Sequence, residues 1–149
     1  MVMEIAYAVS AAVLGCFFGA QLCEAMLLVP YWKSMDPSDF KKYYNKQGEK
    51  IHSFFSPLTI LAFLIPCLTA FIGLSSGQDK VIIHLGLGLS CLLFFSTYFL
   101  FFKKANEEFT MVEMDQHQLQ SALSIWAKWH WSRVVLEGLA FGLALFLLY

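Results

Sequence analysis

The chain has 149 residues, of which 58% are hydrophobic and 14% charged, and its mean hydropathy is +0.61. A soluble domain of this length has a large surface for its volume and needs more polar side chains, so the composition excludes the soluble class and predicts an integral membrane protein. The net charge of −1 provides no basic surface for nucleic acid.

Four apolar stretches are long enough to cross a bilayer core of about 30 Å, which takes roughly 20 helical residues. They cover residues 5–29, 51–74, 81–102 and 126–149 and are expected to form one domain, residues 1–149. Backbone polar groups in hydrocarbon must be satisfied within the segment, which favours helices. The short link after the second stretch makes the second and third helices antiparallel neighbours. The sequence therefore predicts an all-α, up-and-down transmembrane four-helix bundle.

Glycine pairs in the first and last stretches indicate close helix packing. Gly15 and Gly19 are four residues apart in the first, and Gly138 and Gly142 are four apart in the fourth. Such spacing lets two helix backbones approach closely. We favour packing within one chain, and a homodimer through either pair is the alternative.

The two long connections are amphipathic. Each carries apolar side chains at helical spacing, with lysines on the other face of the first. We expect each connection to form a short helix that lies in the headgroup region and covers one end of the bundle. The apolar positions are Phe40, Tyr43 and Tyr44 in the first connection, and Phe109, Val112, Leu119 and Leu123 in the second.

Basic residues are distributed unequally between the two ends of the predicted bundle. Of the ten Lys and Arg, only Lys80 lies at the end that carries the chain termini. The positive-inside rule therefore predicts a multi-pass protein with cytoplasmic long connections and both termini on the non-cytoplasmic side. The other nine are Lys33, Lys41, Lys42, Lys46, Lys50, Lys103, Lys104, Lys128 and Arg133.

Polar side chains gather at that same lysine-rich end of all four helices. Gln21 and Glu24 share a stripe near the end of the first helix, and His52 opens the second. Asn106 and Glu107 follow the third. Because the helices alternate in direction, these groups are predicted to form one layer in the cytoplasmic half of the bundle.

The fourth helix adds Trp126, His130, Arg133 and Glu137, at i, i+4, i+7 and i+11 on one stripe. A charge at bilayer depth costs at least about 2.5–3.5 kcal/mol, so these groups are expected to face the interior and pair. Arg133 is expected to form a bidentate pair with Glu24 or with Glu137.

Each of these residues also has a structural explanation. An Arg–Glu pair would lock the first helix to the fourth, and the tryptophans would form an interfacial belt, with Trp129 and Trp131 as anchors. Taken together, there are more polar side chains in this layer than the packing of four helices requires, which favours a functional site. His84, alone at the other end of the third helix, is expected to be structural. The candidate substrate-binding residues are Trp126, Trp129, Gln21 and Glu137.

Four segments resemble, in order, the anthrone oxygenases, a family of small four-helix membrane proteins. They are "GCFFGAQLCEAMLLVPYW", "FFSPL", "FFKKANEEF" and "LSIWAKWHWSR". The resemblance implies a signature of Asn106, Trp126, His130 and Arg133, with Pro30 closing the first helix. It also implies oxidation of an anthrone to an anthraquinone by molecular oxygen, with no established cofactor.

The residue types present suit that chemistry. Removal of an acidic C–H proton needs a base, for which His130 or His52 is suited, and an oxyanion donor, for which Arg133 or Asn106 is suited. With Glu24 they make the candidate catalytic set. The sequence thus predicts an oxygenase or related redox enzyme acting on a hydrophobic aromatic or quinone-like small molecule.

Two alternatives remain open at the sequence level. Imidazole and carboxylate groups from His52, His130, Glu24 and Glu107 would suit a transition metal in the same layer, although the sequence requires no cofactor. The protein would otherwise be a non-enzymatic accessory or a lipid-binding or ligand-binding protein of the bilayer.

Overall fold

The structure is a computed structural model, and it describes residues 2–149. It consists of helices α1 (Val2–Lys33), α2 (Pro37–Ser75), α3 (Val81–Met111) and α4 (Gln116–Leu147), each long and apolar enough to cross a membrane. No strand occurs within this part of the chain. The predicted all-α four-helix class is confirmed.

Consecutive helices run antiparallel, and α4 returns to pack against α1, so the four helices form a square bundle. The ends of α1 and α3 and the starts of α2 and α4 therefore meet at one end, which we call the basic end because nine of the ten Lys and Arg lie toward it. The apolar core of the opposite half is built from alanine, leucine and phenylalanine side chains such as Ala11, Leu14, Phe17, Phe94 and Ala140.

The helices extend further at the basic end than predicted. The amphipathic segments are helical, but they are continuous with α2, α3 and α4, so the expectation of separate interfacial helices is wrong. At this end only residues 34–36, between α1 and α2, and residues 112–115, between α3 and α4, are not helical. Pro37 is the first residue of α2, a position that suits proline, and no further proline occurs before the apolar stretch begins at residue 51. At 1.5 Å per residue, the 39 residues of α2 span about 58 Å, well beyond a bilayer core.

A second cluster of buried side chains, distinct from the core of the opposite half and rich in aromatic residues, fills the projecting part of the bundle. Trp32 is buried between α1, α2 and α4, with its ring centroid 5.6 Å from that of Trp126. Phe40 and Phe109 pack edge to face at 5.2 Å, and Leu123 is fully buried beside them. This cluster holds the helix ends together outside the apolar spans.

Two helices contain a widened π-turn at the level where this cluster meets the apolar spans. In α1 the turn is Glu24–Leu28, and in α3 it is Tyr98–Phe102. Pro30 follows the first turn; it has no N–H and its ring would crowd the carbonyl four residues earlier, which a widened turn relieves. No proline accompanies the second turn. Such turns occur often at functional sites.

Gly15 and Gly138 pack α1 against α4 within the chain. A Cβ on Gly15 would lie 3.0 Å from the Phe141 ring, and one on Gly138 would lie 3.1 Å from the Phe18 ring. These two rings stack on each other at 6.2 Å. Gly15 and Gly138, the first glycine of each pair, therefore pack within one chain, as we favoured. The homodimer stays a prediction.

Candidate functional site

A cavity of about 250 Å³ lies in the half of the bundle nearer the basic end, and all four helices contribute to its wall. Helices α2 and α3 supply most of the wall, while α1 and α4 supply polar groups. An apolar cavity of about 150 Å³ holds one benzene ring, and each further fused ring adds only four carbon atoms, so this larger volume suits two or three fused rings. Six aromatic side chains line it: Tyr44, Phe55, Phe95, Tyr98, Phe99 and Phe102.

Arg133 is the most connected polar group on the wall. Its Nη2 donates to Gln21 Oε1 at 2.8 Å and approaches His130 Nδ1 at 3.1 Å. The guanidinium lies over the Phe102 ring, 4.2 Å from the centroid, and the side chain is 10% exposed. These contacts tie α4 to α1 and α3 and direct the guanidinium at the cavity.

Two carboxylates flank Arg133. Glu24 Oε2 lies 3.9 Å from Arg133 Nη2, and Glu137 Oε1 lies 3.7 Å from Arg133 Nε. Neither contact is a hydrogen bond, so the predicted bidentate pair does not form; Gln21 takes the hydrogen bond instead. Glu24 lines the cavity, whereas Glu137 is fully buried and does not.

His130 lies behind the cavity wall and does not line it. Its Nε2 is 2.9 Å from the Gln21 carbonyl oxygen, and its Nδ1 faces Arg133 Nη2. A guanidinium only donates, so Nδ1 accepts, and Nε2 carries the proton and donates to Gln21. The ring also stacks on Trp126 at 4.8 Å and is fully buried. With both nitrogens engaged, His130 orients Arg133 and Gln21.

Asn106 reaches the cavity with the support of Trp126. Trp126 Nε1 donates to Asn106 Oδ1 at 2.9 Å, which leaves the amide nitrogen of Asn106 directed away from that bond. Asn106 lines the cavity, and Trp126 is buried behind it. The structure thus joins Asn106, Trp126, His130 and Arg133 in one contiguous set of contacts.

The remaining candidates are less closely associated. His52 lines the cavity from α2 but is exposed and makes no contact with the Arg133 cluster. Trp129 is 36% exposed and stacks on Phe101 at 5.1 Å, away from the cavity. Glu107 is exposed and lies outside the lining. Of the predicted substrate-binding residues, only Gln21 reaches the cavity wall.

The predicted metal ligands do not fit a metal ion. Across residues 2–149, no three His, Cys, Asp or Glu side chains lie together as a metal site requires. His130 Nδ1 and Glu24 Oε2 approach to 3.9 Å, but His52 and Glu107 do not complete a set. We therefore derive no chemistry through a metal.

Part of the cavity lining was not predicted from the sequence. Ser56 and Thr59 follow His52 at i+4 and i+7, so one face of α2 carries all three, and this spacing was available in the sequence. Tyr98 lies in the π-turn of α3, and Tyr44 reaches the cavity from the projecting part of α2. Neither of these two placements had a sequence signal.

Comparison of the chain with family models, with curated proteins and with solved structures finds no match.

Proposed function

We propose that this protein is a membrane-embedded oxygenase, or a related redox enzyme, that acts on a hydrophobic aromatic or quinone-like small molecule. The observation that carries the proposal is the aromatic cavity that collects polar groups from all four helices beside the buried guanidinium of Arg133. A buried charge at bilayer depth is costly and is usually retained for function.

Substrate access is expected from the lipid, between α2 and α3. Ile60 and Phe99 line the cavity and are 45% and 64% exposed on the outer faces of these helices. A flat apolar molecule dissolved in the bilayer would meet this opening without crossing water. Ligand pockets combine apolar walls with a few placed polar groups, as this cavity does.

The proposed chemistry begins with loss of an acidic C–H proton from the substrate. Glu24 and His52 are the basic groups on the wall, and Arg133 and Asn106 supply donors for the oxyanion that forms as the carbanion delocalises. Molecular oxygen then accepts the electrons. Overall, one CH₂ group and one O₂ give one C=O group and one water molecule. His130 acts through Arg133 as a positioning residue.

The resemblance to anthrone oxygenases supports the same reaction class. The four residues that carry it, Asn106, Trp126, His130 and Arg133, are the ones joined in contacts beside the cavity. Likeness of motif does not fix activity, so the reaction needs a direct test.

Oxygen uptake by the purified protein with anthrone as the probe tests the proposal. We expect anthraquinone to form with one O₂ consumed per anthrone. Asn106→Asp keeps the acceptor for Trp126 but replaces the amide donor with a carboxylate, and we expect turnover to fall about 100-fold, as for loss of other oxyanion donors. Asn45→Asp, at an exposed position of α2, is the matched control.

Arg133→Ala and His130→Ala variants that keep wild-type turnover would contradict the assigned roles. Wild-type protein that binds the probe but consumes no oxygen would overturn the enzyme proposal. It would favour the non-enzymatic alternative, a ligand-binding protein that uses the same cavity.

A further inference from the structure

The cavity wall holds a carboxylate without a hydrogen-bond partner. The Glu24 side chain is 5% exposed, lines the cavity and makes no hydrogen bond to any of residues 2–149. The basic side chains that approach it, through Arg133 Nη2 and His130 Nδ1, are both 3.9 Å away. A buried polar group without a partner is costly, so its acceptor capacity is available to a ligand.

The same wall also carries hydrogen-bond donors that are not paired with an acceptor. Asn106 Oδ1 is occupied by Trp126 Nε1, so its amide nitrogen remains available. Arg133 uses Nη2 for Gln21 and turns Nε toward Glu137, whereas Nη1 has no partner among the described residues. The cavity thus presents an acceptor at Glu24 and donors at Arg133 and Asn106.

We infer that Glu24 selects a hydroxylated aromatic ligand in its reduced, proton-bearing form over the corresponding ether or oxidised carbonyl form. A phenolic O–H donates to the Glu24 carboxylate, while a second oxygen of the ligand can accept from Arg133 or Asn106. A carbonyl or ether oxygen at Glu24 would place two acceptors together and leave the carboxylate unpaired. This inference rests on the proposed function and narrows its substrate class to aromatic molecules that carry a phenolic O–H.

A hydrogen bond to a charged group in a buried site changes affinity by about tenfold or more. Sites built to bond a hydroxyl reject analogues that lack it far more strongly than apolar pockets reject a change of size. Because the cavity suits two or three fused rings, the two-ring 2-naphthol and its methyl ether, 2-methoxynaphthalene, form a matched pair of probes.

The test measures binding of both probes to detergent-purified protein by quenching of tryptophan fluorescence, at a fixed detergent concentration. We expect wild-type protein to bind 2-naphthol at least tenfold more tightly than the ether. E24Q, which can donate as well as accept, should reduce the preference to threefold or less. E49Q removes an exposed carboxylate one residue from the lining residue Gly48, and should keep the full preference.

Equal binding of the two probes by wild-type protein would overturn the inference and leave the proposed oxygen chemistry to stand on oxygen uptake. A preference that persists in E24Q would also overturn it, and so would failure of both probes to bind. E24D covers the case in which E24Q does not fold: its shorter carboxylate should weaken 2-naphthol binding severalfold and leave binding of the ether unchanged.

Discussion

The His84 ring packs directly against Gly73, at a place where any larger side chain would collide with it. Its ring is buried near the end of the bundle opposite the basic end, where Nδ1 donates to the Lys80 carbonyl at 3.0 Å and Nε2 accepts from the Tyr7 hydroxyl at 2.9 Å. A Cβ on Gly73 would lie 2.2 Å from His84 Nε2. His84 is therefore a hydrogen-bonded link between α1 and α3, not the isolated residue that its sequence position suggested.

Gly73→Ala is expected to destabilise the protein by about 1–3 kcal/mol, because the ring must shift and the Tyr7 hydrogen bond is lost. Thermal unfolding in detergent, followed by circular dichroism, measures the effect. Gly142→Ala is the control, since a Cβ there meets nothing within 4 Å and alanine suits a helix better than glycine. An unchanged melting temperature for Gly73→Ala would contradict this packing.

The residue types at the site and the inward face of α4 were predictable because charge is expensive in a bilayer, whereas the hydrogen-bond partners were not. Spacing along α4 placed His130 and Arg133 inward, and both are buried. Spacing could not show that Gln21 would accept from Arg133 in preference to the carboxylates, or that both nitrogens of His130 would be engaged. Those outcomes depend on distances of a few tenths of an ångström across helices distant in sequence.

At the scale of elements, the π-turns mark where a helix holds one residue more than regular geometry allows. The turn of α3 places Tyr98, Phe99 and Phe102 on the cavity wall. A one-residue insertion in a regular helix would rotate everything beyond it by about 100°, and a widened turn absorbs that rotation locally. The packing faces on both sides of the turn are thereby kept in register.

Deletion of Leu100, an exposed residue within this turn, is expected to leave the fold intact and to weaken 2-naphthol binding at least tenfold. Removal of one residue restores regular geometry while both flanking faces stay in register. Deletion of Leu89, which is 57% exposed and lies in the regular part of α3, should instead rotate one face out of the core and unfold the protein. Equal stability of the two deletions by thermal unfolding would refute this account.

The sequence held no signal for the turn of α3, which lies in a run of large apolar side chains without proline. In α1, Pro30 suggested only an end to the helix, yet the helix continues to Lys33. Proline in the first turn after a widened segment is tolerated because its missing N–H is not needed there. The end of α1 was misjudged for this reason.

At the scale of the whole molecule, four spans and their alternating directions followed from length and hydropathy, since a bilayer permits few other solutions. The continuous helices did not follow, because no residue pattern distinguishes an interfacial helix from an extension of a span. Aromatic packing between Trp32 of α1, Phe40 of α2 and Phe109 of α3 stabilises the extended helices, and this packing was not predicted from the sequence.

Membrane orientation is open to a direct measurement. The excess of Lys and Arg predicts that the basic end is cytoplasmic. In a background without the four native cysteines, we expect Ser76→Cys, in the turn between α2 and α3, to react with an impermeant maleimide on intact cells. Ser121→Cys, exposed near the start of α4, should react only after permeabilisation. The reverse pattern would show the opposite orientation.

The unbroken course of α2 has a mechanical consequence. One helix carries both the outer aromatic residues Phe40 and Tyr44 and the cavity residues from Gly48 to Ser56, and the first proline in its interior is Pro57. Its first 14 residues form a lever arm of about 21 Å. A load applied to that arm would be transmitted directly to Gly48, His52 and Ser56, which line the cavity on the near side of Pro57.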